Sequence, residues 1–328
     1  ALGVMLPYTP LHYLLLEPGA GISNCLVMTS GNLSEEPIAT GNEEARERLG
    51  DLADDFLLHD RDIYIRCDDS VLRVFEHEPG HDAPQKSELH SVQYPLRRAR
   101  GFAPNPVLLQ WDMPPLLAAG PELKNTFCLT RGQYAFISHH IGDLENYETL
   151  QAFQEGISHY ERLFRIEPQA IAYDLHPDYL ATRYALERAQ NESLPSISVQ
   201  HHHAHLASCL AENQHPGDRR VISLSLDGTG YGEDGAIWGG EVLLADYQQF
   251  ERRFHLKYVP LPGGDLAVRE PWRTALAHLD SAGLPWEPDL HPVRHAQHMP
   301  ASDWDPLDLL RQQLDSRVNA PPTSSMGR

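Results

Sequence analysis

The run His201-His202-His203-Ala204-His205 puts four imidazoles into five residues directly after the apolar segment Ile197 to Val199. An ordinary core has no use for such a cluster, and metal chemistry does. If the run opens a helix, His201 and His205 stand four apart on one face and both reach a single ion. His202 and His203 are then expected to point elsewhere. A solvated helix start that happens to be rich in histidine is the plain alternative. The second strong signal is Asp227-Gly228-Thr229-Gly230-Tyr231-Gly232. Its glycines let backbone N–H groups approach a ligand without Cβ obstruction, and such a hairpin can cradle phosphates. Asp227, at the end of a strand, would hold a metal or its water beside them. An ordinary glycine-containing hairpin has the same composition. No Gly-Lys-Ser/Thr follows, so the tract is not a Walker loop.

Weaker clusters accompany these two. Ser138-His139-His140-Ile141-Gly142-Asp143 offers two imidazoles and a carboxylate, or simply a turn with a capping Asp. Gly263-Gly264-Asp265 precedes Arg269-Glu270-Pro271, where Pro271 suits the first turn of a helix over Trp272 to Leu279 and Glu270 complements its dipole. Thr29-Ser30-Gly31-Asn32 supplies hydroxyls, an amide and free N–H groups after an apolar phrase, the position where open α/β sheets bind ligands. Arg66, with Asp68 and Asp69, and the triplet Arg97, Arg98 and Arg100 offer guanidinium forks suited to a triphosphate, or exposed edge-strand charges.

The elements that must position these groups read as α/β. In the first half, a helix is expected over Leu11 to Leu16, a strand over Cys25 to Met28, and a charged helix near Glu43 to Leu49. Strands follow at Phe56 to Leu58, Ile63 to Ile65 and Val71 to Phe75, then a polar loop over Glu78 to Gln93. The proline-rich stretch from Pro104 to Pro115 is the expected linker. Beyond it, strands are expected at Leu116 to Ala119, Thr126 to Thr130 and Tyr134 to Ile137. Leu150, Phe153, Ile157, Tyr160 and Phe164 recur at helical spacing. Strand Ala170 to Tyr173 ends at Asp174, a helix spans Tyr179 to Ala189, and strand Ile197 to Val199 delivers the histidines. Ile222, Leu224 and Leu226 alternate in a strand expected to stop at Asp227, turn through the glycines, and return over Ala236 to Ala245. Alternating strands and helices of this kind indicate α/β architecture.

Composition narrows the setting. The 328 residues suffice for about two domains. Forty-six acidic against 26 basic residues give a formal charge of −20, which opposes general binding to nucleic acid or anionic membranes. No stretch approaches the ~20 apolar residues of a membrane span, and the first residues lack a secretory pattern, so a cytoplasmic protein is expected. Cys25, Cys67, Cys128 and Cys209 form no CxxC pair and read as reduced, buried thiols. Neither end has the polar, fraying character of a terminus, and a segment of a longer polypeptide is expected.

Ten phrases in order, LPYTPLH, TSGNLS, RCDDSV, RRARGFAP, ELKNTF, SHHIGDLEN, DLHPDY, QHHHAHLAS, DGTGYGEDGAIWGGE and GGDLAVREPW, resemble the hydrogenase-maturation carbamoyltransferases of the HypF type over nearly the whole length. The resemblance implies that residues 1–105 are the C-terminal half of a YrdC-like (Sua5-type) twisted α/β domain, 106–115 a linker, and 116–328 the N-terminal part of a Kae1-like domain of actin/hexokinase-type fold. It implies formation of carbamoyl adenylate from carbamoyl phosphate and ATP with Mg2+. The carbamoyl group then passes to the C-terminal cysteine of the partner HypE, as precursor of the cyanide ligand of [NiFe] hydrogenase. Carried over by motif, Ser30 and Asn32 hold ATP in the first site, with Arg66, Arg98 and Arg100 as further candidates. Asp227, Gly228, Thr229 and Gly230, with Gly327 in the terminal TSSMGR phrase, contact nucleotide in the second. His201 and His205 hold one Zn2+ or Fe2+, and the family's third ligand is expected on an Asp beyond residue 328. On that expectation these residues alone do not complete the reaction. The rival readings are an antibiotic O-carbamoyltransferase, a threonylcarbamoyl-adenosine enzyme acting on tRNA, and a non-catalytic nucleotide- and metal-binding segment. The fusion of both halves, the HHHAH run and the charge of −20 stand against tRNA.

Overall fold

A computed structural model describes residues 6–19, 25–34, 36–77, 90–299 and 304–328. The chain divides into two units, 1–66 and 67–328. In the first, α1 (Pro10–Leu15) begins where Thr9 accepts a hydrogen bond from the His12 N–H, with Pro10 at the first helical position. Helix α2 (Asn42–Leu49) begins where Glu44 folds back to accept from the Thr40 and Gly41 N–H groups. The strands expected at Cys25 to Met28, Phe56 to Leu58 and Ile63 to Ile65 are absent; all three run as irregular chain. Val27 is fully exposed. An apolar phrase becomes a strand only when a neighbour pairs its N–H and C=O groups, and none does so among the described residues.

The second unit opens with the antiparallel pair β1 (Val71–His77) and β2 (His90–Arg97). The expected polar loop therefore ends by residue 89 and not at Gln93; residues 78–89 lie outside the described ones. The proline-rich stretch is not a coil either. From Val107 it is part of β3 (Val107–Ala118), which pairs antiparallel with β4 (Cys128–Ile137). Pro114 and Pro115 fall between Met113 and Leu116, where the register shifts and no ladder N–H is required. Strand β4 also joins what reads in sequence as two strands.

Amphipathic α3 (Tyr147–Phe164), capped by Asn146, leads to β5 (Ala170–Asp174); α4 (Leu180–Glu192) leads to β6 (Ser196–Val199). The sheet order is β4-β3-β5-β6, with β3, β5 and β6 parallel. Its core holds Leu117, Phe127, Leu129, Phe153, Ile157 and Ile171, all fully buried. Helix α5 (His201–Glu212) follows, then β7 (Val221–Tyr231), β8 (Ile237–Ala245), β9 (Phe250–His255) and β10 (Val259–Pro260). Helices α6 (Asp265–Arg269), α7 (Trp272–Ser281), α8 (His291–Gln297) and α9 (Pro306–Ser316) precede β11 (Pro322–Thr323). This sheet runs β10-β11-β8-β7, with β9 also on β8. Trp272, Leu276, Val293 and Leu310 form the core of the helical layer. The α/β class is as expected, but the thiols are not all buried: Cys25 and Cys209 are exposed, Cys67 and Cys128 half-buried.

Candidate metal centre

Helix α5 starts because the Gln200 side-chain oxygen accepts from the His203 N–H at 3.0 Å. His202, Leu206 and Leu210, four apart, form its buried stripe, with Leu206 and Leu210 packed with Leu243 and Ala245 of β8. The adjacent stripe therefore presents His201 and His205, and their Nε2 atoms face one another at 3.1 Å. The Asp174 carboxylate, at the end of β5, accepts from His201 Nδ1 at 2.8 Å. A carboxylate only accepts, so the His201 proton sits on Nδ1 and the Nε2 lone pair is left for an ion.

Strand β7 brings a third candidate donor, Asp227, beside these two by breaking its own ladder, whereas the third ligand was expected beyond residue 328. Leu226 pairs with Gly240 and Gly230 with Trp238, so Asp227, Gly228 and Thr229 together oppose Gly239. This bulge replaces the turn expected at the glycines; the chain reverses beyond Tyr231, at Gly232 to Ala236. Asp227 Oδ2 lies 3.5 Å from His205 Nε2 and 3.8 Å from His201 Nε2, while Oδ1 lies 3.0 Å from His202 Nε2. One donor atom from each of His201, His205 and Asp227 lies within 4.8 Å of the others. Oδ2 is buried without a hydrogen-bond partner. An orphaned carboxylate oxygen between two imidazole nitrogens is what a cation site requires, and the donor set suits Zn2+ or Fe2+.

Close approach of α5 and β7 depends on missing side chains. A Cβ on Gly230 would meet His202 Cε1 at 2.4 Å and His201 Cδ2 at 2.9 Å; one on Gly239 would meet Asp227 Oδ1 at 2.9 Å. Gly230 thus serves packing of the histidines, a role the phosphate reading of the tract did not include.

Burial opposes charge on all three groups. At His201 the Asp174 hydrogen bond and the two nearby carboxylates outweigh it and raise the pKa. At His205 burial and the neighbouring His201 lower it against the pull of Asp227. Asp227 is held below its ordinary value, because its bond to His202 and the surrounding imidazoles outweigh burial.

Beside His201 and His205 a cavity of about 390 Å³ opens at the carboxyl ends of β3, β5 and β6, with walls from Ala118, Gly120, Ala172 and Val199. The terminal phrase lies along the bulge. The Gly327 N–H donates to the Asp227 carbonyl at 2.9 Å, and Ser325 Oγ and Arg328 Nε donate to the Gly228 carbonyl. Asp227, Gly228, Thr229, Gly230 and Gly327 are therefore brought together on the bulge. Fully buried Glu241 supports them from β8. It accepts from the Gly239 and Gly240 N–H groups, from Ser324 Oγ, and from Arg252 Nε at 2.6 Å.

The remaining candidates sit in local networks. In the first unit Ser30 is exposed, and Asn32 donates to the Leu33 and Glu36 carbonyls while its buried Oδ1 has no hydrogen-bond partner among the described residues. Arg66 donates to the Ile38 carbonyl and lies 3.6 Å from Glu44. In the second unit Arg97 pairs with Asp68 and Arg100 with Asp69, fastening the β2 end to the RCDDS segment; Arg98 donates to the Asn105 carbonyl. His139 and His140 lie outside the metal triad, and Asp143 accepts from the Lys124 N–H.

Glu44 carries a pH prediction. Partial burial opposes its charge, but the Thr40 and Gly41 N–H groups, Arg48 and Arg66 outweigh that and hold its pKa near about 2. A folded-state pKa below the unfolded value stabilises above pH ~4.5 and is lost as pH falls toward 2. The urea midpoint of the wild type should exceed that of Glu44→Gln near neutral pH, and the gap should close only as pH falls through about 2.

Sequence reasoning missed His202, Asp174, Gln200 and Glu241. Asp174 at a parallel-strand end and the spacing of His202, Leu206 and Leu210 were the available signals. Nothing local marks Glu241.

The parallel β3-β5-β6 sheet with its helices, the β7–β8 hairpin sheet and a His-His-Asp cluster placed to meet one ion make an α/β domain of the Kae1-like class. The profile "HypF Kae1-like domain" matches residues 112–212, "Carbamoyltransferase, Kae1-like Domain, second subdomain" matches 223–328, and the Sua5/YciO/YrdC profile, described as "Telomere recombination", matches 1–81. The chain belongs to the HypF carbamoyltransferase family. It is 47% identical over its whole length to carbamoyltransferase HypF2 of Cupriavidus necator and 47% identical to carbamoyltransferase HypF of Rhodobacter capsulatus, covering 39% and 41% of those proteins. A crystal structure of full-length HypF in the phosphate- and nucleotide-bound form superposes on 99% of the chain with a TM-score of 0.82 at 46% identity, over 39% of its own length. The chain thus spans about two fifths of the length of the curated relatives it matches. No helix among the described residues is long and apolar enough to cross a membrane.

Proposed function

We propose that this chain carries the metal-dependent part of an ATP-driven carbamoyl transfer. The observation that supports it most is the unsatisfied Asp227 Oδ2 held against two imidazoles beside a cavity, in a chain of the HypF family. In this reading His201, His205 and Asp227 hold one Zn2+ or Fe2+. Bound there, the ion would polarise an oxygen of the carbamoyl donor and ease attack at its carbon. Asp174 keeps His201 in the tautomer that binds, the cavity beside the imidazoles gives the carbamoyl donor room, and Gly228, Thr229 and Gly327 offer backbone groups to a nucleotide on the bulge.

Residues 1–105 are assigned to the YrdC-like, adenylate-forming part and 116–328 to the Kae1-like part, in keeping with the profiles over 1–81, 112–212 and 223–328. Ser30 and Asn32 contact ATP in the first, with Arg66 of the same unit as a further candidate. Water cleaves carbamoyl phosphate to carbamate and phosphate, a carbamate oxygen bonds to the α-phosphorus of ATP as pyrophosphate leaves, and fixed guanidinium charge meets the negative charge that develops. The acceptor is the C-terminal cysteine thiolate of HypE; its sulfur attacks the carbamoyl carbon of the adenylate and AMP departs.

The intact protein should catalyse carbamoyl-phosphate-dependent exchange of pyrophosphate into ATP when Mg2+ is supplied. Absence of exchange under those conditions contradicts the proposal.

A further inference from the structure

We infer that His202 is a positioning residue: with its single ring proton on Nε2, it grips Asp227 Oδ1 and so presents Oδ2 to the ion, while Gln200 keeps that proton in place. The inference rests on the metal reading above and adds a residue that the reading does not use. It follows from donor and acceptor bookkeeping. The Gln200 amide touches two backbone groups whose roles are fixed. The His203 N–H can only donate, so the atom 3.0 Å from it is the amide oxygen. The Tyr231 carbonyl can only accept, so the atom 3.2 Å from it is the amide nitrogen. The same nitrogen lies 3.2 Å from His202 Nδ1. An amide nitrogen has no lone pair to offer, so Nδ1 accepts. The neutral ring then carries its proton on Nε2, 3.0 Å from Asp227 Oδ1.

The ring has nowhere else to go. It is fully buried, lies against Gly230, and stacks 6.1 Å from the Trp238 ring at 26°. The carboxylate is thus divided: Oδ1 is engaged by a fixed donor, and Oδ2, buried and without a hydrogen-bond partner, faces His201 and His205. Hydrogen bonds of this outer kind set ligand orientation, and losing one typically weakens metal binding about 10–100-fold. Both ends of the relay are tied to secondary structure. Gln200 caps α5 through its oxygen and holds the last residue of β7 through its nitrogen, so the helix start and the bulged strand fix one another's metal ligands.

The test is cobalt(II) titration of the intact, metal-stripped protein, followed by the absorption of the bound ion. His202→Phe fills the volume without a donor and should weaken cobalt binding about 10–100-fold. His202→Gln, which restores an N–H near the Nε2 position, should recover most of it. Asp227→Ala should weaken binding by itself, and adding His202→Phe to it should change little further, because the grip has lost its object. Gln200→Glu keeps the helix cap but replaces the donor facing Nδ1 with an acceptor. It should move the ring proton to Nδ1, which 15N spectra of the imidazole report, and weaken binding as His202→Phe does. Equal losses from His202→Phe with and without Asp227, or a wild-type proton on Nδ1, overturn the inference while leaving the metal reading intact. Unchanged affinity in Asp227→Ala overturns the metal reading and this inference with it.

Discussion

Gly230→Ala lowers the affinity of the centre for a divalent ion by at least ~10-fold and lowers the urea midpoint at the same time. The added Cβ would stand 2.4 Å from His202 Cε1, 2.9 Å from His201 Cδ2 and 3.0 Å from His201 Cβ. Carbon atoms in contact sit about 3.5–4.0 Å apart, so the strand must retreat by roughly an ångström or the rings must leave their rotamers. Overpacking of this kind costs about 1–3 kcal/mol. Retreat carries Asp227, three residues earlier on the same bulge, away from the imidazoles, so stability and metal binding fall together. Gly228→Ala provides the contrast. Its Cβ would meet nothing nearer than Arg328 Nε at 4.0 Å, so it should bind metal as the wild type does. If the glycines served only to let phosphates approach, both substitutions would spare the metal alike. Calorimetric titration with Zn2+ and urea unfolding separate the two accounts.

Glu241→Ala destabilises the second unit by about 3 kcal/mol, the low end of the cost of breaking a buried ion pair by removing one member. Glu241 is fully buried, and Arg252 leaves little of its side chain in water. The low end applies because Arg252 keeps the Asp234 carboxylate, the Tyr258 hydroxyl and the Trp238 face, 3.9 Å from its guanidinium carbon. The Gly239 and Gly240 N–H groups and Ser324 lose an acceptor as well. Glu241→Gln retains the shape and one acceptor oxygen and should cost about 1–3 kcal/mol. Burial opposes the charge of Glu241, but Arg252, Ser324 and the Gly239 N–H outweigh it and depress its pKa. Its contribution is therefore present above the ordinary carboxylate range and lost as pH falls through the depressed value. Urea curves for wild type and Glu241→Ala should converge in acid. Because Ser324 leads into the phrase that lies on Asp227, the alanine variant should also loosen metal binding, by less than Gly230→Ala does.

Local sequence was legible where periodicity and caps coincide. Helix α5 begins at His201 as expected, and α3, α4, β5, β6 and the β7–β8 pair lie within a few residues of the expected bounds. Each has its own signal: a 3.6-residue apolar repeat, a capping side chain, or alternation ending in a polar residue. Cys25 to Met28 and Ile63 to Ile65 have apolar composition without a partner strand among the described residues, and pairing is a property of the whole fold. The proline-rich run at 106–115 misleads in the opposite way, because β4 lies alongside and accommodates Pro114 and Pro115 at a register shift.

The site divides along the same line. His201 and His205 were legible because the helix alone sets their spacing. Asp227 was legible as a functional carboxylate, but its place among the imidazoles depends on a bulge defined by pairing with β8. His202 was expected to point away, since it stands about 100° around the helix from His201. It enters the site from the buried stripe next to theirs, because Asp227 straddles both. Glu241 accepts from the adjacent Gly239 and Gly240 N–H groups, but its ion pair and its hydroxyl partner come from β9 and from Ser324, 83 positions along the chain.

The claim on which the account rests is that His201, His205 and Asp227 hold one ion. Elemental analysis of the intact protein, purified without chelators, tests it most directly when wild type is compared with His205→Ala and Asp227→Ala. Each variant should lose about one equivalent of zinc or iron per chain relative to wild type while remaining folded by circular dichroism. Metal content equal to wild type in both variants would contradict the centre described here.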